Sequence, residues 1–203
     1  MRWLAQHPAE AAGLLGQHLA IVGTALLAAL AIALPLGYLA ARRPGAAGPI
    51  YGVFGVIYTI PSLALLALLV PVLGLGFWTA VVALTAYAQM ILVRNTVEGF
   101  RGVGPAQLEA AAGLGMTSAQ QFWRVELPLA LPVIVGGVRI ATVALIAIAS
   151  IAAWINAGGL GVLFFDGIHT NDVQKIVAGS IASAALAIVA DLLLRGLERV
   201  VRT

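Results

Sequence analysis

Cysteine is absent from the 203 residues, which excludes disulfides and thiolate metal sites and leaves the redox compartment unmarked. Charge is scarce: only 9% of residues are Asp, Glu, Lys or Arg, and one lysine, Lys175, stands beside ten arginines. No Gly-x-x-x-x-Gly-Lys-Ser/Thr phosphate loop occurs, so the chain is not expected to hydrolyse ATP alone. HExxH and GxSxG are also missing, and no two carboxylates share a polar setting, so an embedded enzyme would lack catalytic residues. His7, His18 and His169 are too scattered to suggest a metal site. The opening MRWLAQHPAEAAGLLGQ has Pro8 and Glu10 but no basic segment feeding an apolar core, so it does not read as a cleavable signal peptide.

What remains is hydrocarbon. Hydrophobic residues make up 62% of the chain, and apolar runs of about 20 residues recur, the length that crosses a core of roughly 30 Å. The runs are unbroken rather than alternating, which argues against a transmembrane barrel. Aromatics are few while Ala and Gly are many, as suits close helix packing in lipid. The expected class is all-α: one polytopic transmembrane bundle over 1–203. Five spans are read, at His18 to Ala40, Ile50 to Leu73, Phe77 to Val93, Leu129 to Ala153 and Ile176 to Leu194. ARRPGAAGP ends the first, and LGLG makes the second and third a hairpin. Trp154 to Gln174 is glycine-rich, then aromatic at Phe164 and Phe165, then polar. It reads as a short interfacial element or an incomplete sixth span, and Gly158, Gly159 and Gly161 disfavour helix at their own positions.

Net charge is +3. In a soluble protein this basic excess would raise nucleic-acid binding, but here the arginines flank spans and report topology, so lipid and not nucleic acid is the expected surroundings. Arg42 and Arg43, then Arg94, Arg101 and Arg124, then Arg195, Arg199 and Arg202 fall on one side of a five-span chain, against Arg2 and Lys175 on the other. That places the N-terminus outside and the C-terminus in the cytoplasm.

The same count puts a polar island, EAAAGLGMTSAQQFWRVELP (Glu109 to Pro128), in the cytoplasm. Gly104 and Pro105 suit the start of a helix, Gly115 its left-handed end, and Thr117 with Gln120 a capping box for a second helix that stops at Pro128. Ala106, Ala110 and Gly113 share a face that lets another surface come close. Locally this describes either a well-capped amphipathic loop or a docking surface.

The spacing is more specific. Glu109, Ala110, Ala111, then Gly115, Val125, Leu127 and Pro128 resemble the EAA loop of bacterial ABC importer permeases, with Val125 where isoleucine is usual. TIPSLALLALLVPVLGLG (Thr59 to Gly76), LVRNTVEGF (Leu92 to Phe100), VELPLALPVIVGGVRIATV (Val125 to Val143) and INAGGLG (Ile155 to Gly161) are similar to permeases of the osmoprotectant branch, for glycine betaine, carnitine and choline. The resemblance covers about residues 18 to 195. It implies a type I importer in a bacterial inner membrane, with two permeases, identical or different, and a cytoplasmic ATPase dimer that carries ATP and Mg. An extracytoplasmic solute-binding protein would deliver the cargo. It also implies a coupling loop over about 95–127, with Glu109, Ala110, Ala111, Gly113, Gly115 and Pro128 transmitting force.

Residues inside the spans leave alternatives. Arg139 and Asp191 are each costly in hydrocarbon, by roughly 2.5–3.5 kcal/mol, and form a candidate ion pair; equally, Arg139 snorkels to headgroups and Asp191 pairs with Arg195 one turn on. Pro61 kinks the second span, and Thr59 and Ser62 beside it either repair the backbone or touch cargo. Gln89 lines a pathway or glues helices. Tyr58, Tyr87 and Trp154 are rings that could attract a quaternary ammonium, and Asn156 is a further pathway candidate. Two rival functions remain: a permease for methionine or another amino acid, and a self-sufficient secondary transporter with a discontinuous helix at Pro61.

Overall fold

The computed structural model describes Trp3 and residues 6–202; Arg2, counted above for the outer side, lies outside the described residues, as does Thr203. We number the helices α1 (Pro8–Arg42), α2 (Pro44–Thr59), α3 (Ser62–Leu73), α4 (Phe77–Arg101), α5 (Pro105–Gly113), α6 (Ser118–Gln121), α7 (Leu127–Ala152), α8 (Gly161–His169) and α9 (Val173–Arg202). Four of the described helical stretches are long and apolar enough to cross a membrane, or five if the bent pair α2–α3 makes one span.

Several boundaries differ from expectation, most of them at prolines. Helix α1 begins at Pro8, ten residues before the expected start, because proline is at ease in the first turn and Glu10 complements the helix dipole there. Its 35 residues would reach about 52 Å at 1.5 Å per residue. The connection that follows is a single extended residue, Arg43; Pro44 starts α2, and Pro49 lies inside it instead of ending anything. The second span is two helices, not one: the axes of α2 and α3 differ by 97°. Proline at 61 forces Ile60 into an extended conformation (φ −68°, ψ 127°) and brings no N–H to continue the ladder. Helix α4 runs eight residues past Val93, to Arg101.

Pro128 does not stop a helix either. Residues Phe122–Glu126 form a π-helical turn joining α6 to α7, and Leu127 N–H bonds to the carbonyl of Phe122, five residues back. The wide turn accommodates a proline that would clash with an ordinary i−4 carbonyl, so Ser118–Ile155 is one continuous helical rod.

Helix α4 is the hub, packed between α1 and α7, and α7 in turn carries α9. Small residues set the spacing. Ala25, Ala29, Ala33 and Gly37 repeat every fourth position on the buried side of α1, and a Cβ on Gly37 would fall 2.5 Å from Thr96 Cβ on α4. On the other side of α4, a Cβ on Gly99 would meet the Ala130 carbonyl of α7 at 2.9 Å. Such contacts are how membrane helices gain packing without a hydrophobic drive between them. Gln89 belongs to this packing: it is 2% exposed and its amide donates to the carbonyls of Ala29 on α1 (3.3 Å) and Thr85 (3.2 Å).

Gly37→Leu should therefore separate α1 from α4 at a cost of about 1–3 kcal/mol, the usual range for overpacking, and lower the melting temperature of the detergent-solubilised protein. Leucine at Gly13, which has open space around it, should leave melting within a degree or two on the same scale.

Candidate functional site

The polar island is built as two capped helices. Helix α5 starts at Pro105 behind an extended Gly104 and closes at Gly115 (φ +73°). The closure has both bonds of a Schellman motif: Gly115 N–H to Ala112 O at 2.9 Å and Met116 N–H to Ala111 O at 3.2 Å. One residue later Thr117 and Gln120 complete a reciprocal capping box, Gln120 N–H to Thr117 Oγ1 (3.3 Å) and Thr117 N–H to Gln120 Oε1 (2.8 Å). A stiff corner results. Glu109, Ala110, Gly113 and Gly115 are exposed on it, and Leu114 is 77% exposed, with Trp123 also outward. Ala111 differs from the other members of that group: it is the buried residue of α5 and anchors the helix to the body. Pro128 is exposed at the start of α7, away from the corner.

A residue that sequence reasoning passed over ties this corner to the bundle. Glu126, 4% exposed and part of the π turn, accepts a hydrogen bond and ion pair from Arg42 Nη2 at the end of α1, 84 positions away. Arg42 also lies over the Tyr38 ring, 5.5 Å from its centroid. Tyr38 packs edge-on against Phe100 and Phe122 at 4.9 and 5.1 Å, so the ends of α1 and α4 and the π turn share one aromatic cluster. Arg101 adds a bond to the Ala40 carbonyl at 3.2 Å. Helix α5 packs on the π turn, so the corner is joined through it to Glu126 and to the end of α1.

The intramembrane charges form a larger group than a pair. Arg139 Nη1 is 3.5 Å from Asp191 Oδ1 and Arg139 Nε is 3.4 Å from Glu198 Oε2, while Arg195 donates to Asp191 Oδ2 at 2.9 Å. Both alternatives for Asp191 are thus realised together, and Glu198, which was not singled out, joins α9 to Arg139 on α7. The Nε contact is charge proximity without hydrogen-bond geometry.

The proposed pathway residues separate into three places. Tyr58, Thr59, Pro61, Ser62 and Tyr87 line one cavity of about 310 Å³ where α2 breaks into α3, closed on the far side by α7. The Tyr87 hydroxyl donates to the Ile60 carbonyl, the group exposed by the break, and the Thr59 hydroxyl donates to Val56 O at 2.7 Å. Trp154 lines an adjoining apolar cavity of about 570 Å³ that shares Pro61, and Asn156, left-handed at φ +59°, sits beside Trp154 in a third. Gln89 lines none of these three cavities and packs between α1 and α4.

His18 was set aside as one of three scattered histidines, yet it is fully buried and pins the glycine loop. Its Nδ1 accepts from Leu160 N–H (3.3 Å) and its Nε2 faces the Ile146 carbonyl (3.2 Å), which assigns the proton to Nε2. Neighbouring Gln17 accepts from Gly159 N–H at 3.0 Å. Gly158 and Gly159 both take φ +84°, so the loop bends sharply and Gly161 opens α8 as its first residue. At nine residues α8 is a short element and not a span.

Residues 33–203 match the model of the binding-protein-dependent transport system inner membrane component family. The chain belongs to this family. The permease is 42% identical over 183 residues, 90% of its length and 84% of the relative's, to the choline transport system permease protein OpuBB of Bacillus subtilis. It is 42% identical over 192 residues, 92% and 89% of the two chains, to the osmoprotectant import permease protein OsmW of Salmonella typhimurium. Its fold is that of a type I ABC importer permease: it superposes on a chain of the MetNI methionine ABC transporter, solved in inward-facing conformations, with a TM-score of 0.84 over 96% of this chain and 98% of that one, at 23% identity.

The buried carboxylate offers a test of the corner's attachment. Arg42→Met in the permease leaves Glu126 unpaired and should cost about 1–3 kcal/mol, read as a lower melting temperature. Adding Glu126→Gln should recover at least half of that loss, because the charge that needed a partner is gone. A double variant as unstable as the sum of the singles would show that the two groups act independently.

Proposed function

We propose that the permease forms the translocation path of an ATP-driven importer for a quaternary ammonium osmoprotectant such as choline, glycine betaine or carnitine. The reading is carried by the 42% identity to the choline and osmoprotectant permeases across nine-tenths of the chain. A second permease copy or homologue completes the path, a cytoplasmic ATPase dimer powers it, and an extracytoplasmic binding protein loads it. The arginine count supports an outer N-terminus, a cytoplasmic C-terminus and a cytoplasmic corner at α5.

In this reading Glu109, Ala110 and Gly113 seat α5 in the ATPase. Its closure on ATP pushes the corner, and the rigid caps pass the displacement to the π turn instead of absorbing it. From there Glu126 and the aromatic cluster move the end of α1, while Pro128 lets the same push travel along α7. The amino-acid rival draws only on the MetNI likeness, which speaks to fold. A secondary transporter would use the break at Pro61, but no acidic side chain lines the cavity there to couple an ion.

Proteoliposomes with the permease, its ATPase and its binding protein should take up choline, glycine betaine or carnitine only with ATP. Uptake by the permease alone without ATP, or ATP-driven uptake of methionine in place of these solutes, would overturn the reading. Gly115→Val should lower uptake per ATP hydrolysed at least about five-fold, since a β-branched residue is strained at φ +73°. Gly115→Asn, which tolerates that conformation, should retain most of it.

A further inference from the structure

We infer that the cavity at the α2–α3 break is a cation subsite of the permease itself, holding a quaternary ammonium group against the Tyr58 and Tyr87 rings as it passes. The inference rests on the proposed function and adds a station inside the membrane.

The hydrogen-bond inventory of the cavity is unusual. A hydroxyl has one proton to give. Those of Tyr87 and Thr59 are committed to the Ile60 and Val56 carbonyls, so toward a further ligand each oxygen can only accept. None of the lining residues is acidic or basic. A primary ammonium or a guanidinium is held most strongly by charge-assisted hydrogen bonds to a carboxylate, and this lining has none. A quaternary ammonium brings no conventional donor; it requires aromatic faces and a negative potential. Both are present. The rings of Tyr58 and Tyr87 stand 6.0 Å apart between centroids at 65°, forming two walls of a corner. Tyr58 is 47% exposed and Tyr87 6%, so one wall is fixed and the other is reachable. The C-terminal end of the 16-residue α2 contributes its partial negative charge at the same place.

The other end of such a solute is also provided for. The Tyr58 and Ser62 hydroxyls make no hydrogen bond among the described residues, which leaves them free to donate to a carboxylate or hydroxyl. A volume of about 310 Å³ lies at the lower end of small-molecule sites, roughly 300–1,000 Å³. Trp154, across Pro61 in the adjoining apolar cavity, extends the aromatic surface away from the corner. It supplies an approach that offers no competing charge.

The test measures binding to the permease–ATPase complex without its binding protein, in nanodiscs of phosphatidylethanolamine and phosphatidylglycerol, using radiolabelled choline. Saturable binding is expected, displaced by tetramethylammonium but not by the neutral tert-butyl isostere in which carbon replaces the nitrogen. Tyr58→Leu should weaken it about 3- to 30-fold, the range of cation–π contacts, and Tyr58→Phe should restore it to within about 3-fold of wild type. Absence of saturable binding, equal displacement by the neutral isostere, or wild-type binding by Tyr58→Leu would each overturn the inference. Nanodiscs containing phosphatidylcholine separate cargo from lipid: abolition of choline binding there would assign the corner to a lipid headgroup and overturn it, whereas persistence supports it. ATP-driven uptake of choline, glycine betaine and carnitine by the complete importer is followed in parallel. Uptake without binding overturns the subsite and leaves the proposed function standing; binding without uptake supports the subsite and overturns the proposed function.

Discussion

A peptide group inside hydrocarbon has no water to bond with, so each carbonyl and N–H must be satisfied within a helix or, where a helix breaks, by a side chain from elsewhere. In this permease the supplied partners close one turn locally and tie distant helices together elsewhere. Tyr87 on α4 caps the Ile60 carbonyl at the Pro61 break. Thr79 donates to Gly74 O at 2.6 Å and closes the LGLG turn. Gln17 and His18 on α1 receive the N–H groups of Gly159 and Leu160. At Pro128 the chain solves the problem without a partner, by widening one turn to a π-helix.

The interruptions of the ladder at Pro61 and Pro128 coincide with a cavity and with a buried ion pair. A straight second span would bury its carbonyls and leave no cavity; the 97° bend opens one and lines it with groups already needed to satisfy the break. A proline that simply ended the island at 128 would place a flexible joint between the polar corner and α7. The π turn gives a continuous rod instead, with Glu126 turned inward to meet Arg42. The π turn that satisfies the backbone at Pro128 also holds Glu126, which joins the corner to the bundle.

Local chemistry made much of this legible in the sequence. The caps at Pro105, Gly115 and Thr117 follow from residue type and spacing within a few positions, and the structure has each of them. Features that depend on distant partners were not legible. Glu126 reads as one more polar residue of the island until the fold brings Arg42 to it, and His18 reads as isolated until the glycine loop returns to α1. Gln89 sat on the boundary: its type left packing and pathway open, and its burial with the amide N–H bonds to Ala29 and Thr85 favours packing. Prolines were over-read as stops at 49 and 128, because position within a first turn or beside a π turn reverses their effect.

Since the chain has no cysteine, the link from corner to cavity can be measured on a single introduced thiol. Ser62→Cys places it in the cavity lining of the assembled importer, where its modification rate by a charged, membrane-impermeant thiol reagent can be followed from each side of the membrane, with and without ATP. If displacement of α5 reaches the cavity in part through Glu126, ATP should move the fast side of modification from one face to the other, and Glu126→Gln should reduce that shift to the part carried along α7. Identical rates with and without ATP, or a full shift in the Glu126→Gln background, would contradict the relay.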